Sequence, residues 1–209
     1  MCASGGPAMP KNSLRDIRQV RPDPSALKAL AHPVRLRMLS LLRLDGPATA
    51  SGLATRLGLN SGATSYHLRQ LALHAFIVED AGRGNARDRW WKAAHESTHF
   101  GAGPKEGEAL EADMAFGQAA LNWQIMQMQS ALRNQVNLSP EWRKASTISD
   151  YYIPLTSGQA EALVKKLQDL LWEAMRSAPP MGGPYPDGVE PFAVILHGFP
   201  RPPEGSVEP

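Results

Sequence analysis

The sequence has almost no cysteine and no long apolar run. Cys2 is the single cysteine among 209 residues, which excludes an intrachain disulfide, a C-x-x-C redox pair and a thiolate metal cage. No run reaches the roughly 18 apolar residues that a transmembrane helix needs, and the start MCASGGPAMP lacks the apolar core of a signal peptide. We therefore expect a cytoplasmic protein that makes no membrane contact.

Most catalytic motifs are also missing, because there is no glycine-rich phosphate loop, G-x-S-x-G turn or paired-carboxylate motif. One catalytic motif does match the sequence letter by letter. HESTH, residues 95–99, matches H-E-x-x-H, in which two histidines one helical turn apart bind zinc. The pattern needs a helix and a third ligand, but FGAGPKEGE follows at once, and its glycines and proline disfavour a helix. We expect two solvated histidines, no catalytic residue and no cofactor; a zinc hydrolase is the alternative that metal analysis would test.

Charge is divided unevenly along the chain. Residues 1–100 contain 14 Lys and Arg against 7 Asp and Glu, and residues 101–209 contain 8 against 13, although the total is only +2. A basic first half joined to an acidic second half indicates that the first half meets a polyanion. The pattern divides the chain into a flexible polar arm (1–22), a compact domain (23–100), a second module (101–200) and a tail (201–209).

Three short helices are predicted at the start of the compact domain. DPSALKALAHP reads as a capped helix that closes before Pro33, and PVRLRMLSLLRLDG begins a second helix at that proline. Thr49 or Ser51 can cap a third helix, ASGLATRLG, which leaves through Gly58.

A fourth helix, residues 61–75, carries the chemistry. At about 100° per residue its small and apolar positions share one face: Thr64, Leu68, Leu71, Ala72 and Ala75. The other face is small, polar and basic: Gly62, Tyr66, Arg69, Gln70 and Leu73. Two helices joined by a tight glycine turn, the second one polar outside, predict a helix-turn-helix. The side chains expected to contact phosphates or base edges are Ser61, Thr64, Ser65, Tyr66, His67, Arg69 and Gln70.

A hairpin is predicted for FIVEDAGRGNARDRWWKA, because two short runs of strand character surround a glycine-rich turn. Beside a recognition helix this hairpin would act as a basic wing that reaches phosphate or the minor groove. We expect Trp90 and Trp91 to point to opposite sides of the return strand. The predicted DNA contacts of the wing are Arg83, Asn85, Arg87 and Arg89.

Three segments follow one another within about residues 24–95: LKALAHPVRLRMLSLL, ASGLATRLGLNSGATSYHLRQLALHAFIV and GRGNARDRWW. Together they resemble the ArsR-type winged-helix transcriptional regulators of bacteria. The resemblance implies a winged helix-turn-helix that binds double-stranded DNA. Many members of that family sense metals through cysteines on the third helix or an Asp/His/Glu set on a C-terminal helix. This chain has neither arrangement, so we expect no metal site.

One long helix is predicted after a hinge at residues 101–105 and extends to about residue 137. Apolar residues recur along it about every 3.5 positions: Met114, Leu121, Ile125, Met128, Leu132 and Val136. At about 1.5 Å per residue the helix would be on the order of 45 Å long, more than a small domain can cover. We therefore expect this apolar stripe to form a homodimer interface, with cover by a later helix of the same chain as the alternative.

The last part of the chain predicts a small strand-helix-strand module. Its segments are TISDYYIPL, TSGQAEALVKKLQDLLWEAM and PFAVILHGF, and the helix begins with the capping box Thr156-x-x-Gln159. Aromatic side chains here and on the long helix could fill a core, which is the favoured interpretation, or line a small-molecule effector pocket. The candidate pocket residues are Trp123, Trp142, Tyr151, Tyr152 and Trp172.

The sequence thus predicts a mainly α chain with a small β part (α+β): a winged helix-turn-helix, a long helix and a strand-helix-strand module. The predicted function is sequence-specific DNA binding by a dimeric transcriptional repressor that recognises an inverted repeat. Its predicted partners are double-stranded DNA, a second copy of the chain and a candidate small-molecule effector. A winged-helix interaction module without DNA binding is the alternative, which a lack of salt-dependent DNA affinity would reveal.

Overall fold

Each of the first four helices is capped by the residue that precedes it. The fold is known from a computed structural model, which describes residues 14–83, 89–99 and 105–201. The helices are α1 (Pro24–Leu30), α2 (Pro33–Leu44), α3 (Ala50–Leu57) and α4 (Ser61–Leu73). Their N-caps each accept a hydrogen bond from a backbone N–H of the first turn: Asp23, His32, Thr49 and Asn60. The four predicted helices are therefore confirmed.

One apolar core joins these helices to the strands behind them. Its largest fully buried side chains come from every element around the domain: Leu30, Met38, Leu39, Leu53, Leu68, Leu71, Phe76 and Ile77. Burying an aliphatic or aromatic side chain of this size stabilises a fold by about 1.5–3 kcal/mol. The core therefore holds α4 rigidly by its inner face.

The predicted hairpin forms the larger sheet. β3 (Ile77–Glu79) and β4 (Trp90–Ala93) pair antiparallel, and β2 (Ala48–Thr49), which was not predicted, adds to β4 on its other side. Trp91 is buried in the core, whereas its neighbour Trp90 is only partly buried. The two strands of the wing are thus confirmed; the turn residues 84–88, including the predicted contacts Asn85 and Arg87, lie outside the described part of the chain.

A second, two-stranded sheet joins the start of the chain to HESTH. β1 (Gln19–Val20) pairs in parallel with β5 (Ser97–Thr98). The backbone N–H of His99 also donates to the Val20 carbonyl at 2.9 Å, and Arg15 forms an ion pair with Glu96 at 2.5 Å. The prediction of a flexible arm is therefore wrong for residues 14–22, because pairing across the domain holds them. The expectation that HESTH is not helical is confirmed, since its central residues form a strand.

The long helix predicted for the second half is α5 (Gly107–Asn134), which a 3-10 turn at Gln135–Asn137 extends. Its first half packs on α1 and α2 through Ala112 and Phe116, which are buried, and Trp123 just beyond the midpoint is partly buried against the same core. Lys28 of α1 reaches Glu108 and Glu111 at the surface, at 3.2 and 3.5 Å. The helix therefore leaves the domain with its second half largely uncovered.

The C-terminal region contains helices but not the predicted strands. α6 (Pro140–Ala145) and α7 (Ser157–Ser177) are present, and α7 begins with the predicted capping box of Thr156 and Gln159. The strands predicted at 147–155 and 191–199 are wrong, because both segments run without a ladder of backbone hydrogen bonds. Their residues have strand propensity, but a strand forms only where a neighbouring strand can pair with it. No described helix is long and apolar enough to cross a membrane.

The segment after α7 returns to the winged helix and touches it backbone to backbone. Gly46, after α2, and Gly182 face one another, and both have a positive φ, at 85° and 79°. A Cβ placed on Gly182 would lie 2.7 Å from the Cα and 2.8 Å from the nitrogen of Gly46. Two glycines are therefore required where these segments meet.

Replacing Gly182 by alanine should lower the free energy of unfolding by about 2–4 kcal/mol, because it adds backbone strain at positive φ to overlap with Gly46. Gly188→Ala is the matched control, since Gly188 has a φ of 77° but open space around it. That control should show only the backbone term, about 1–2 kcal/mol. Urea unfolding of both variants checks the difference. Equal losses would show that the Gly46 contact does not form in solution.

Candidate nucleic-acid interface

The turn between α3 and α4 is built by Gly58 and Asn60. Gly58 has a φ of 66°, and its N–H donates to the carbonyls of Ala54 and Thr55, which ends α3. The side chain of Asn60 then accepts from the N–H of Ala63 at 2.8 Å and begins α4. This left-handed turn needs glycine, and it sets the two helices of the helix-turn-helix at a fixed angle.

The inner face of α4 is fixed in the core. Thr64, Leu68 and Leu71 are each at most 1% exposed, and the Thr64 hydroxyl donates to the Asn60 carbonyl at 3.0 Å. Thr64 was predicted as a DNA contact, and that prediction is wrong because the side chain cannot be reached. The predicted helix end is also wrong, since α4 stops at Leu73 and Ala75 is exposed with a φ of 57°.

The outer face of α4 is open. Ser61, Gly62, Tyr66 and Arg69 are exposed, while Ser65 and Gln70 are half-buried along its edges. Within the described residues, the Arg69 guanidinium has neither an ion pair nor a hydrogen bond. Gly62 adds no side chain at the start of the helix, so the backbone there can approach a partner closely. This face therefore offers one free cation, one phenol and several small donors.

His67 does not belong to this open face. Its ring lies 4.6 Å from the ring of His32, the N-cap of α2, and 5.5 Å from that of Tyr66. Its Nδ1 is buried and has no hydrogen-bond partner among the described residues, whereas His32 Nδ1 accepts from the N–H of Val34 at 3.2 Å. The predicted base-reading histidine thus lies at the junction of α2 and α4.

Protonation of this junction is disfavoured. Burial lowers the pKa of His67, and the nearby His32 and Arg35 lower it further. Burial also lowers the pKa of His32, again with a contribution from Arg35. Sequence analysis missed His32 and Arg35, because only the packing of α2 against α4 brings them beside α4.

Acid should therefore destabilise the domain. The unfolded chain binds a proton at His67 near its ordinary pKa of 6.5, while the folded chain binds it only at lower pH. Between these two values the unfolded state holds more protons, so the free energy of unfolding falls as the pH drops below about 6.5. Thermal unfolding between about pH 7.5 and about pH 5 measures this slope, and His67→Gln should flatten it. A variant with the slope of the wild type would contradict the assignment.

The described arginines of the wing lie beside carboxylates of the same hairpin. Arg83 pairs with Asp80 at 3.4 Å and Arg89 with Glu79 at 3.2 Å, and both guanidinium groups also lie over tryptophan rings. Their side chains remain 60% and 62% exposed. Ion pairs this exposed contribute little, so both arginines stay available to phosphates.

The residues predicted for the dimer interface lie together on one exposed face of α5. Their exposed fractions are 68%, 40%, 39%, 48% and 57% for Met114, Leu121, Ile125, Met128 and Leu132. The face that α5 buries against the domain is a different one, formed by Ala112 and Phe116.

The candidate effector residues are separated rather than gathered. Trp123 packs beside the core under Arg37, whose guanidinium carbon lies 5.9 Å from its ring. Trp142 stacks on Phe192 with centroids 6.2 Å apart. Trp172 is partly buried on α7, while Tyr151 and Tyr152 are 80% and 84% exposed. The five side chains thus do not surround one cavity, and an effector pocket made of them stays a prediction.

Two groups of HESTH are engaged in contacts within the domain. Glu96 pairs with Arg15, and the His95 carbonyl accepts a hydrogen bond from Arg43 at 2.9 Å. Across residues 14–83, 89–99 and 105–201, no three His, Cys, Asp or Glu side chains are grouped to hold a metal ion.

Comparison with known proteins identifies the domain but not its specific role. Residues 30–80 match the family described as a helix-turn-helix domain. Reduced HlyU from Vibrio cholerae is 22% identical, with 44% of this chain and 83% of that chain covered and a TM-score of 0.29. A mutant of ZitR from Lactococcus lactis in its apo form is 16% identical, with 69% and 83% covered and a TM-score of 0.31. A search of curated proteins finds no match.

Proposed function

We propose that this chain is a sequence-specific, DNA-binding transcriptional repressor of the ArsR type that acts in the cytoplasm as a homodimer. The observation that carries the proposal is the open outer face of α4. This face belongs to the second helix of the helix-turn-helix domain that residues 30–80 match. The Arg69 guanidinium on it has no partner in the described part of the chain. A surface helix without a partner for its charge is suited to a polyanion.

In this proposal α4 enters the major groove with its N-terminal end foremost. Ser61 and Gly62 are small enough to let the helix approach the bases closely, and Tyr66 and Arg69 extend from the same face one and two turns later. An arginine fork matches two acceptors on guanine. The positive end of the helix dipole also favours approach to phosphates.

The wing would contact the flanking backbone. Arg83 and Arg89 are mostly exposed and would exchange their weak pairs with Asp80 and Glu79 for phosphate oxygens. Such contacts position a protein without reading sequence. The other predicted wing contacts, Asn85 and Arg87, lie outside the described residues.

The exposed stripe of α5 supports the homodimer. Leu121, Ile125, Met128 and Leu132 repeat at spacings of 4, 3 and 4 residues, which is the seam of two helices packed side by side. A second copy offers an identical stripe, so a two-fold axis would cover both. Two α4 helices about 34 Å apart would then meet two successive major grooves, and the operator would be an inverted repeat.

Selection from a random-sequence duplex library, followed by mobility shift of the enriched DNA, tests the function. We expect an inverted repeat to be enriched and bound in the presence of excess random DNA, with an affinity that falls steeply as salt rises. No enrichment, together with the absence of salt-dependent binding, would favour the interaction-module alternative. Binding without sequence preference would contradict the repressor.

A further inference from the structure

A small cavity lies between the winged helix and the segment that follows α7. Its volume is about 170 Å³, and its walls come from the end of α2, from β4, from HESTH and from Met181 and Gly182. Pockets for drug-sized ligands are roughly 300–1,000 Å³. Only a small molecule or ion therefore fits.

The deepest cation of this cavity is Arg43. Its Nε donates to the His95 carbonyl and its Nη2 to the Thr98 hydroxyl, both at 2.9 Å. Burial lowers the pKa of Arg43 to about 10. Within residues 14–83, 89–99 and 105–201 no carboxylate pairs with it, and a guanidinium has more N–H donors than these two acceptors use. A charge withdrawn from water without a counter-ion is costly to the fold.

The other ionisable side chains around Arg43 leave the cavity with a net positive charge. Arg18 lines its mouth, and no described residue pairs with that side chain. His95 lines it as well, and its Nδ1 is buried with no hydrogen-bond partner in the part of the chain that the structure describes. The acidic group at the wall, Glu96, is already bound to Arg15, and Lys92 is bound to Asp80 at 2.9 Å.

We propose that this cavity binds a small oxyanion, a carboxylate or a phosphate, between the guanidinium groups of Arg43 and Arg18. Arginine forks match the two oxygens of such groups better than any other side chain does. A neutral His95 could donate from one ring nitrogen, which would satisfy the orphaned position. The ligand would also fasten the segment at Met181 to the winged helix. The site goes beyond the proposed DNA binding and does not depend on it.

Thermal unfolding of the full chain in potassium phosphate and in potassium acetate, each against potassium chloride at equal ionic strength, tests the site. A ligand that binds the folded state raises the midpoint in proportion to the logarithm of its concentration. We expect phosphate, acetate or both to raise it for the wild type, and the anion that does so identifies the ligand class. Calorimetric titration with that anion gives the dissociation constant.

Three variants distinguish anion binding in this cavity from other causes of a raised unfolding midpoint. Arg18→Gln removes a cation that pairs with no described residue, and it should weaken anion binding by about tenfold or more, because one charged contact is lost. Arg43→Lys keeps the charge but loses the fork, and it should weaken binding as well. Arg69→Gln is the matched control, since it removes a cation of the DNA-facing helix, and it should bind the anion like the wild type.

Three results would overturn the site. An equal rise in every variant would be a general salt effect. A rise lost in Arg69→Gln but kept in Arg18→Gln would assign the anion to the DNA-binding face. If neither anion raised the unfolding midpoint, the cavity would not bind a small oxyanion. Because no DNA is used, each of these results is independent of whether the chain binds an operator.

Discussion

Replacing Arg69 by alanine is expected to weaken operator binding by about 1–3 kcal/mol, roughly tenfold to a hundredfold, and to relax sequence preference at one base pair of each half-site. Arg69 is exposed on α4 and has no hydrogen bond or ion pair with any described residue, so we expect its replacement to remove a DNA contact without removing a structural bond. Fluorescence anisotropy with the operator and with a scrambled duplex measures both effects. Arg143→Ala, which removes an exposed arginine of α6, is the control and should bind like the wild type.

The same measurement on a wing arginine should give a different result. Arg89→Ala should weaken the operator and the scrambled duplex alike and lower the salt slope by about one, because a phosphate contact carries no sequence information. If Arg69→Ala left affinity and preference unchanged while the chain stayed folded, α4 would not be the recognition helix. The interaction-module alternative would then replace the repressor.

The combination of Ile125→Asp with Met128→Asp is expected to turn the proposed dimer into a monomer. Both residues lie on the exposed stripe of α5, where carboxylates would face each other across the proposed two-fold axis. Loss of the second half-site should weaken operator binding by about a hundredfold or more. Light scattering at micromolar concentration reports the mass, and the anisotropy assay reports the binding.

Met126 offers a matched control for this interface. It is as exposed as the stripe, at 51%, but lies about a third of a turn away from Ile125 on the same helix. Met126→Asp should therefore remain a dimer with the affinity of the wild type. A dimer that survives the double substitution, or one that Met126→Asp breaks as readily, would contradict an interface on this stripe.

Local patterns explain how much of the fold could be predicted. Asp23, Thr49 and Thr156 each stand one residue before a helix, and their capping bonds depend only on neighbours within a few positions. The length and exposed stripe of α5 likewise follow from a periodicity that a single helix contains. The open face of α4 was predictable for the same reason.

Features that depend on distant pairing could not be predicted. The two-residue strands β1 and β5 are separated in the sequence by the four helices of the domain, and no periodicity marks so short a strand. The segment 191–199 has the composition of a strand, but composition does not supply a partner. His67 was predicted to contact bases, yet its ring lies against that of His32 at the start of α2.

The cavity beside Arg43 is a further product of long-range packing. In the sequence Arg43 is one of several basic residues of α2. Only the packing of HESTH and Gly182 beside it produces the cavity, and no described carboxylate pairs with it there. A motif that resembled a zinc site therefore serves as one wall of a positively charged cavity.

The central claim is that α4 lies in the major groove, and a cleavage reagent attached to that helix tests it most directly. Cys2 is the single cysteine, so Cys2→Ser followed by Ser61→Cys gives one attachment point for an iron chelate at the start of α4. We expect two cleavage sites, one per half-site and about 10 base pairs apart. The same reagent on Ser149→Cys, an exposed position between α6 and α7, should not cleave at the half-sites. Cleavage from position 149 but not from position 61 would contradict the account.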